Sequence, residues 1–203
     1  MTGSQRWASC RLCLGLAGLA MLGRVIRDDR IGPIETLVFR TVNDLPDRLY
    51  PPGWLVMQAG NAWAGPVAGA IAWRAGRRQL AARLVLSGLS TWALAKVVKR
   101  IYHRPRPHGL LADVRFRGPE PSGLGYVSGH AGIAVAIGTA LLPEFGTAGR
   151  VVTATVAPTV GLCRIYVGAH LPLDVLGGAV LGLAVDAAAS QLLQARRERR
   201  SRD

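Results

Sequence analysis

The chain has 203 residues, of which 50% are hydrophobic, only 18% are charged and 25 are glycine. That balance excludes a disordered chain and sits badly with a water-soluble domain of ordinary charge density, while the length suits one architectural unit. Against 12 acidic residues stand 25 basic ones, all arginine except Lys96 and Lys99, and the net charge of +13 calls for an anionic partner, either nucleic acid or membrane phosphate.

Hydropathy decides between the two. Leu49 to Trp73 and Pro121 to Pro143 contain no Asp, Glu, Lys or Arg. Apolar stretches of ~18 or more residues read as membrane-spanning helices, because lipid cannot hydrogen-bond a bare backbone and a helix satisfies its own. The bilayer is the expected partner and nucleic acid is not; the oligomeric state is not readable.

In chain order, the first candidate span is 7–26, whose basic start and small residues near Ala17 and Ala20 also fit a cleaved signal peptide, but which pairs better with the rest of the chain if retained. After Pro33, the apolar residues Ile34, Leu37, Val38, Val42 and Leu45 follow helical spacing, with Glu35, Arg40, Asp44 and Asp47 on other faces, as in an interfacial helix. Further spans are expected at 54–73, 80–98, 126–142, 150–165 and 171–195. No repeat and no long linker divides the chain. The expected fold is therefore all-α, a polytopic six-transmembrane-helix bundle with a short interfacial helix, forming a single domain over 1–203. Cys10, Cys13 and Cys163 lie in apolar surroundings, and their odd number gives neither a disulfide framework nor a zinc spacing, so small packing residues are expected.

Arginine accumulates in cytoplasmic loops of membrane proteins. The tail with Arg196, Arg197, Arg199, Arg200 and Arg202, and the turn with Arg74, Arg77 and Arg78, should then be cytoplasmic. Both termini share that side of the plasma (inner) membrane, and the loop from Lys99 to Gly125 faces outward. The cations of that loop break the charge rule and need another explanation.

Three clusters at span ends supply one. Lys99 and Arg106 flank Pro105, which biases Arg104 away from helix and lets the chain fold Arg106 back toward Lys99. At Ser128-Gly129-His130, a good N-cap residue and a glycine open the fourth long span, so that the first-turn amides offer an anion site reinforced by the helix dipole. Arg164, His170 and Asp174 lie between the last two spans; a His and an Asp at i and i+4 would lie ~5–6 Å apart on one helix face, close enough for the carboxylate to hold the tautomer. Singly, each has an ordinary structural explanation: a headgroup anchor, a chance tripeptide, a satisfied contact. Jointly they place cations, helix-terminal amides and two histidines on one face.

The order Lys, six residues, Arg-Pro, then Ser-Gly-His, then Arg, five residues, His, three residues, Asp resembles the three-part signature of the type 2 phosphatidic acid phosphatase (PAP2) superfamily of lipid phosphatases. The motifs run from Lys99 to Asp174, and the helix layout extends the likeness over most of the chain. Two positions depart from the usual pattern: Val127 stands where Pro precedes Ser-Gly-His, and Cys163 where Ser precedes the third-motif Arg. Pro121-Ser122-Gly123 is a false match, since Leu124 follows instead of His.

The resemblance implies a phosphohistidine mechanism. His170 would attack phosphorus, Asp174 would orient its ring, and His130 would protonate the leaving oxygen and later activate water. Lys99, Arg106, Arg164, Ser128 and Gly129 would bind the phosphoryl oxygens, three cations doing what a metal does elsewhere, so neither cofactor nor metal is expected. The substrate would be a lipid phosphate: a polyprenyl diphosphate, phosphatidate or phosphatidylglycerophosphate, with the arginine-rich composition leaning toward the first. A lipid phosphotransferase with the same site, or a non-enzymatic binder of anionic lipid, are the competing functions. His103 and His108 have no motif support and are expected to be ordinary exposed side chains. Asp186, 12 residues beyond Asp174 and thus ~18 Å along a helix, is expected to pair with a basic group toward the cytoplasmic side.

Overall fold

The computed structural model describes residues 3–27 and 31–201, so that Arg202 of the basic tail lies outside the described residues. All regular structure among them is helical: α1 Gly3–Val25, α2 Pro33–Asn43, α3 Tyr50–Met57, α4 Ala64–Arg74, α5 Arg78–Tyr102, α6 Gly129–Leu141, α7 Thr147–Tyr166 and α8 Pro172–Arg200. The helices pack as a bundle whose outside carries exposed apolar side chains such as Leu16, Ile71, Val97 and Leu162, the surface a lipid environment asks for. Among the described residues, three helical stretches can cross a membrane by length and composition: Gln5–Val25, Arg78–Gly109 and Pro172–Arg200. Of the remaining expected crossings, that at 150–165 is α7, 20 residues long with Pro158 inside it, while those at 54–73 and 126–142 are broken or short. α6 has 13 residues, ~20 Å of helix against a hydrocarbon core of ~30 Å.

The expected span at 54–73 is two helices, not one. α3 ends in a 3-10 turn at Gln58–Gly60, Asn61 is extended, and α4 starts again at Ala64. The Asn61 side chain stabilises the break, accepting from the Trp63 amide at 2.6 Å and donating to Gln58 at 3.2 Å. Gly60 is required there, because a Cβ would stand 2.4 Å from the His130 carbonyl oxygen. The interruption thus brings backbone against the start of α6.

Small residues set how closely the long helices approach. On α8, a Cβ at Gly178 would lie 2.2 Å from the Ser128 carbonyl oxygen, and one at Gly182 would lie 2.1 Å from that of Gly132. Without a hydrophobic drive between helices in lipid, such contacts carry the packing. Gly178→Val must push α8 off α6. A loss of roughly 1–3 kcal/mol or more is expected from overpacking. It should appear as a lowered thermal midpoint in detergent, and an unchanged midpoint would contradict the close approach.

Helix α2 forms where the pattern predicts it, and turns much of its apolar stripe outward. Glu35, Phe39 and Asn43 are buried, while Ile34, Leu37 and Val38 are exposed. The rule that apolar residues turn inward assumes water outside; with lipid outside, the polar residues are the ones that need protein partners. Asn43 finds them in the carbonyls of Arg115 and Tyr166, each at 2.9 Å, and in the Arg115 amide at 3.0 Å. Arg117 donates to the carbonyls of Asn43 at 2.8 Å, Tyr166 at 2.7 Å and Leu45 at 2.6 Å, so the long loop before α6 is pinned to α2 and α7.

At the other end of the bundle, buried Asp186 accepts from Arg11 at 2.8 Å and from Arg83 at 2.6 and 2.8 Å, the pairing expected for it. Arg197 near the end of α8 reaches Gln79 at 3.4 Å, and Arg77 pairs with Glu144, so the basic turn before α5 and the basic tail share one end. Cys10 and Cys13 do not pack inside as expected; they are exposed on the outer face of α1, and Cys163 is half-buried with its sulfur 3.4 Å from where a Cβ on Gly53 would stand.

Candidate active site

Helix α5 stops where the backbone turns left-handed at His103 (φ 52°), just before Arg104-Pro105. Arg106 then folds back, and it lines the same cavity as Lys99. Each is staked to the loops that carry the other motifs. Lys99 Nζ donates to the Leu124 and Gly125 carbonyls, both at 2.8 Å. Arg106 Nε donates to the Ser122 carbonyl at 2.8 Å, and its Nη1 to that of Ala169 at 2.7 Å. Arg164, in the last turn of α7, contacts the Met57 sulfur at 3.7 Å, and its buried Nε has no partner.

Among the described residues, none of these three cations has a carboxylate within ion-pair distance. They surround a cavity of about 440 Å³ whose walls also include Gly129, His130 and His170. Like charges gathered with little solvent and no counter-ion are costly until an anion joins them.

Ser128 is the N-cap of α6, extended at ψ 108°, with its hydroxyl accepting from the Ala131 amide at 3.5 Å. It is fully buried and is not among the cavity walls. The structure therefore gives this hydroxyl to the helix cap, whereas Gly129 and His130 face the cavity at the positive end of the α6 dipole.

His170 and Asp174 meet, although not as two residues on one helix face. α8 begins only at Pro172 with Leu171 extended, so His170 precedes it. The contact arises because the third helical residue, Asp174, turns back over the helix start: its Oδ2 accepts from the Leu171 amide at 2.9 Å and lies 3.6 Å from His170 Nδ1. That spacing exceeds a hydrogen bond and leaves the buried Nδ1 without a partner, yet it fixes which nitrogen faces the carboxylate and leaves Nε2 as the outward one. Burial, then the nearby charges of Lys99, Arg164 and Arg106, hold the His170 pKa well below the ordinary imidazole value. The ring is consequently neutral at pH 7, the state a nucleophile needs.

Two residues of this centre escaped the sequence analysis. Arg104 is fully buried between two carboxylates, donating to Asp174 Oδ1 at 2.8 Å and to Glu35 at 2.7 and 3.2 Å. Glu35 also accepts from the Leu173 amide at 3.0 Å, tying α2 to the start of α8. The available signal was a carboxylate within an apolar helix and an arginine that no motif used. His103 and His108 are exposed, His108 resting edge-on to Phe116 at 5.6 Å, and neither lines the cavity. The exterior side of the cavity is formed by Asn61 and Trp63 at the α3–α4 break and by Trp92 and Lys96 on α5.

A family model described as the PAP2 superfamily matches residues 80–198. A protein of Sulfolobus acidocaldarius named undecaprenyl-diphosphatase is 31% identical over 105 residues, which cover 52% of this chain and 51% of that protein. The chain thus spans about half the length of the curated relative it matches. Among solved structures, Aquifex aeolicus LpxE superposes with a TM-score of 0.73 at 24% identity, over 82% of this chain and 98% of that one. A transmembrane PAP2-type phosphatidylglycerolphosphate phosphatase from Bacillus subtilis gives 0.68 at 19% identity, over 92% and 96%. These two likenesses establish a shared fold.

Proposed function

The chain belongs to the PAP2 superfamily, whose model covers residues 80–198, and on that premise we propose that it is an integral membrane lipid phosphatase acting through a phosphohistidine. The observation that carries this reading is the cavity itself: Lys99, Arg106 and Arg164 without carboxylate partners, facing two imidazoles, one of them backed by a buried carboxylate. In this scheme the cations and the Gly129 amide hold the phosphoryl oxygens and neutralise the charge that grows on them. Nε2 of His170 attacks phosphorus, and the imidazolium that results is stabilised by Asp174. His130 protonates the departing lipid oxygen and afterwards takes a proton from the attacking water. Ser128 acts by holding the first turn of α6 in place. The chain's own cations supply the charge compensation, so the reaction is proposed to need no metal.

We also infer the orientation. The basic turn before α5 and the tail of α8 lie at one end of the bundle and the cavity at the other, so the positive-inside rule would place both termini in the cytoplasm and the cavity at the extracytoplasmic rim of the plasma membrane, with six crossings in all. The substrate would then be a lipid whose phosphate reaches that rim while its tail stays in the bilayer.

The test is phosphate release in detergent from a panel of farnesyl diphosphate, farnesyl monophosphate, phosphatidate and phosphatidylglycerophosphate, with a chelator present. Release from at least one, blocked by vanadate as a mimic of the five-coordinate transition state, is the expected outcome. Release from none, or activity that vanishes with chelation, would overturn the proposal.

A further inference from the structure

Trp92, Lys96 and Lys99 lie at i, i+4 and i+7 along α5 and all line the cavity, so one stripe of this helix presents an indole and two ammonium groups to it. Lys99 is half-buried and committed to two backbone carbonyls. Lys96 is exposed; its Nζ stands 3.5 Å from the centre of the Trp92 ring, and among the described residues it has no carboxylate partner. A lysine near the end of a membrane helix ordinarily snorkels to the headgroups. This one instead forms part of the wall that also holds His130, Arg164 and His170.

Its place in that wall is informative. Lys96 is three residues from Lys99, a step of ~4.5 Å along the helix, so the two ammonium groups are offset along the same wall. The closed end of the cavity is the buried His170; the open flank is marked by Trp63, 72% exposed, and Trp92, 41% exposed. A lipid headgroup entering from that flank would have its terminal phosphate at His170 and its tail running out past the two indoles. Along α5, Lys96 lies between Trp92 and Lys99 on this wall.

We propose that Lys96, held against Trp92, forms a second anionic subsite that takes the lipid-proximal phosphate of a diphosphate headgroup, so that the chain acts on lipid diphosphates in preference to monoesters. This rests on the phosphatase function and narrows its substrate. Nε2 of His170 bonds to the terminal phosphorus while the bond from that phosphorus to the bridging oxygen breaks, and the bridging oxygen leaves with the lipid monophosphate. Lys96 meets the charge left on that phosphate, and His130 supplies the proton. Water then cleaves the nitrogen–phosphorus bond, returning its proton to His130 and releasing inorganic phosphate.

The test compares farnesyl diphosphate with farnesyl monophosphate in detergent for the wild type, Lys96→Met and Lys96→Arg. A hydrogen-bonded charge contact predicts that Lys96→Met lowers kcat/KM for the diphosphate roughly 10–100-fold. The monophosphate should stay within about twofold and Lys96→Arg should keep the diphosphate activity. Equal losses on both substrates would make Lys96 an anchor, no loss on either would make it idle, and a wild type that prefers the monophosphate would have no such subsite; each overturns the inference while leaving a phosphatase. A wild type that releases phosphate from neither removes the phosphatase reading and this inference together.

Discussion

Replacing His170 with alanine is expected to abolish phosphate release, by about 10³-fold or more, since residues acting as one catalytic unit cost nearly the whole rate when one is lost. Rapid quenching under non-acidic conditions with labelled substrate should trap phosphate on the wild type and not on the variant. Equal trapping would remove His170 as the nucleophile. The pH profile offers a second check. The attacking form is the neutral ring, and burial together with the surrounding cations lowers the His170 pKa well below its ordinary value. The acidic limb of kcat/KM, which reports the free enzyme, should therefore fall below the usual imidazole range, with activity kept as pH drops through 6.5 and lost only at lower pH. A limb at or above that value in the wild type would contradict the buried, cation-flanked setting.

Arg104→Met is expected to be nearly as damaging, through a different route. It strands two carboxylates, Glu35 and Asp174, whose side chains are 6% and 0% exposed. Breaking a buried ion pair by removing one partner typically costs about 3–5 kcal/mol, so much of this variant should unfold or fail to accumulate. Arg104→Lys separates position from fold. It retains the charge, but a single ammonium cannot fork between Asp174 Oδ1 and both oxygens of Glu35 as the guanidinium does. A fall in kcat of roughly 10-fold or more is expected with KM little changed, because Asp174 would be free to swing from His170 while the phosphate ligands stay in place. Wild-type kcat in a folded Arg104→Lys protein would show that Asp174 needs no such brace.

The electrostatic sum of that buried group is part of its chemistry. Glu35, Arg104 and Asp174 formally sum to one negative charge, set beside a ring that the proposed mechanism would make positive. The guanidinium compensates both carboxylates and orients them through its hydrogen bonds to Asp174 Oδ1 and to both oxygens of Glu35. The brace also explains why α2 turns a polar face inward: Glu35 must reach Arg104, and the residues left outside, Ile34, Leu37 and Val38, suit lipid.

How much of this was legible depends on whether the signal is local. Long apolar stretches report helices because every backbone amide in lipid must be satisfied within its own segment, and α1, α5 and α8 lie close to the expected spans 7–26, 80–98 and 171–195, whereas the charge-free runs 49–73 and 121–143 hold a broken helix pair and the short α6. The interruption at Gly60-Asn61 was hidden, since an apolar run reads the same whether it is continuous or interrupted, and the close approach of Gly60 to the His130 carbonyl arises only in the packed structure. Asp186 was legible as a charge in need of a partner; that Arg11 and Arg83 would both reach it was not.

The linear order of residues by itself determined the class of molecule, an arginine-rich helical membrane chain, and the spacing of Lys99, Arg106, His130, Arg164, His170 and Asp174 that carries the family pattern. Both are properties of composition and short-range spacing. Only the tertiary structure decided which groups face the cavity and which sit behind it: Ser128 went to a helix cap, Arg104 and Glu35 to a buried brace, and Lys96 to the cavity wall. Those assignments depend on contacts such as that of Glu35 with Arg104, 69 residues apart, whose partners are chosen by packing and by the cost of leaving a charge unpaired in an apolar interior.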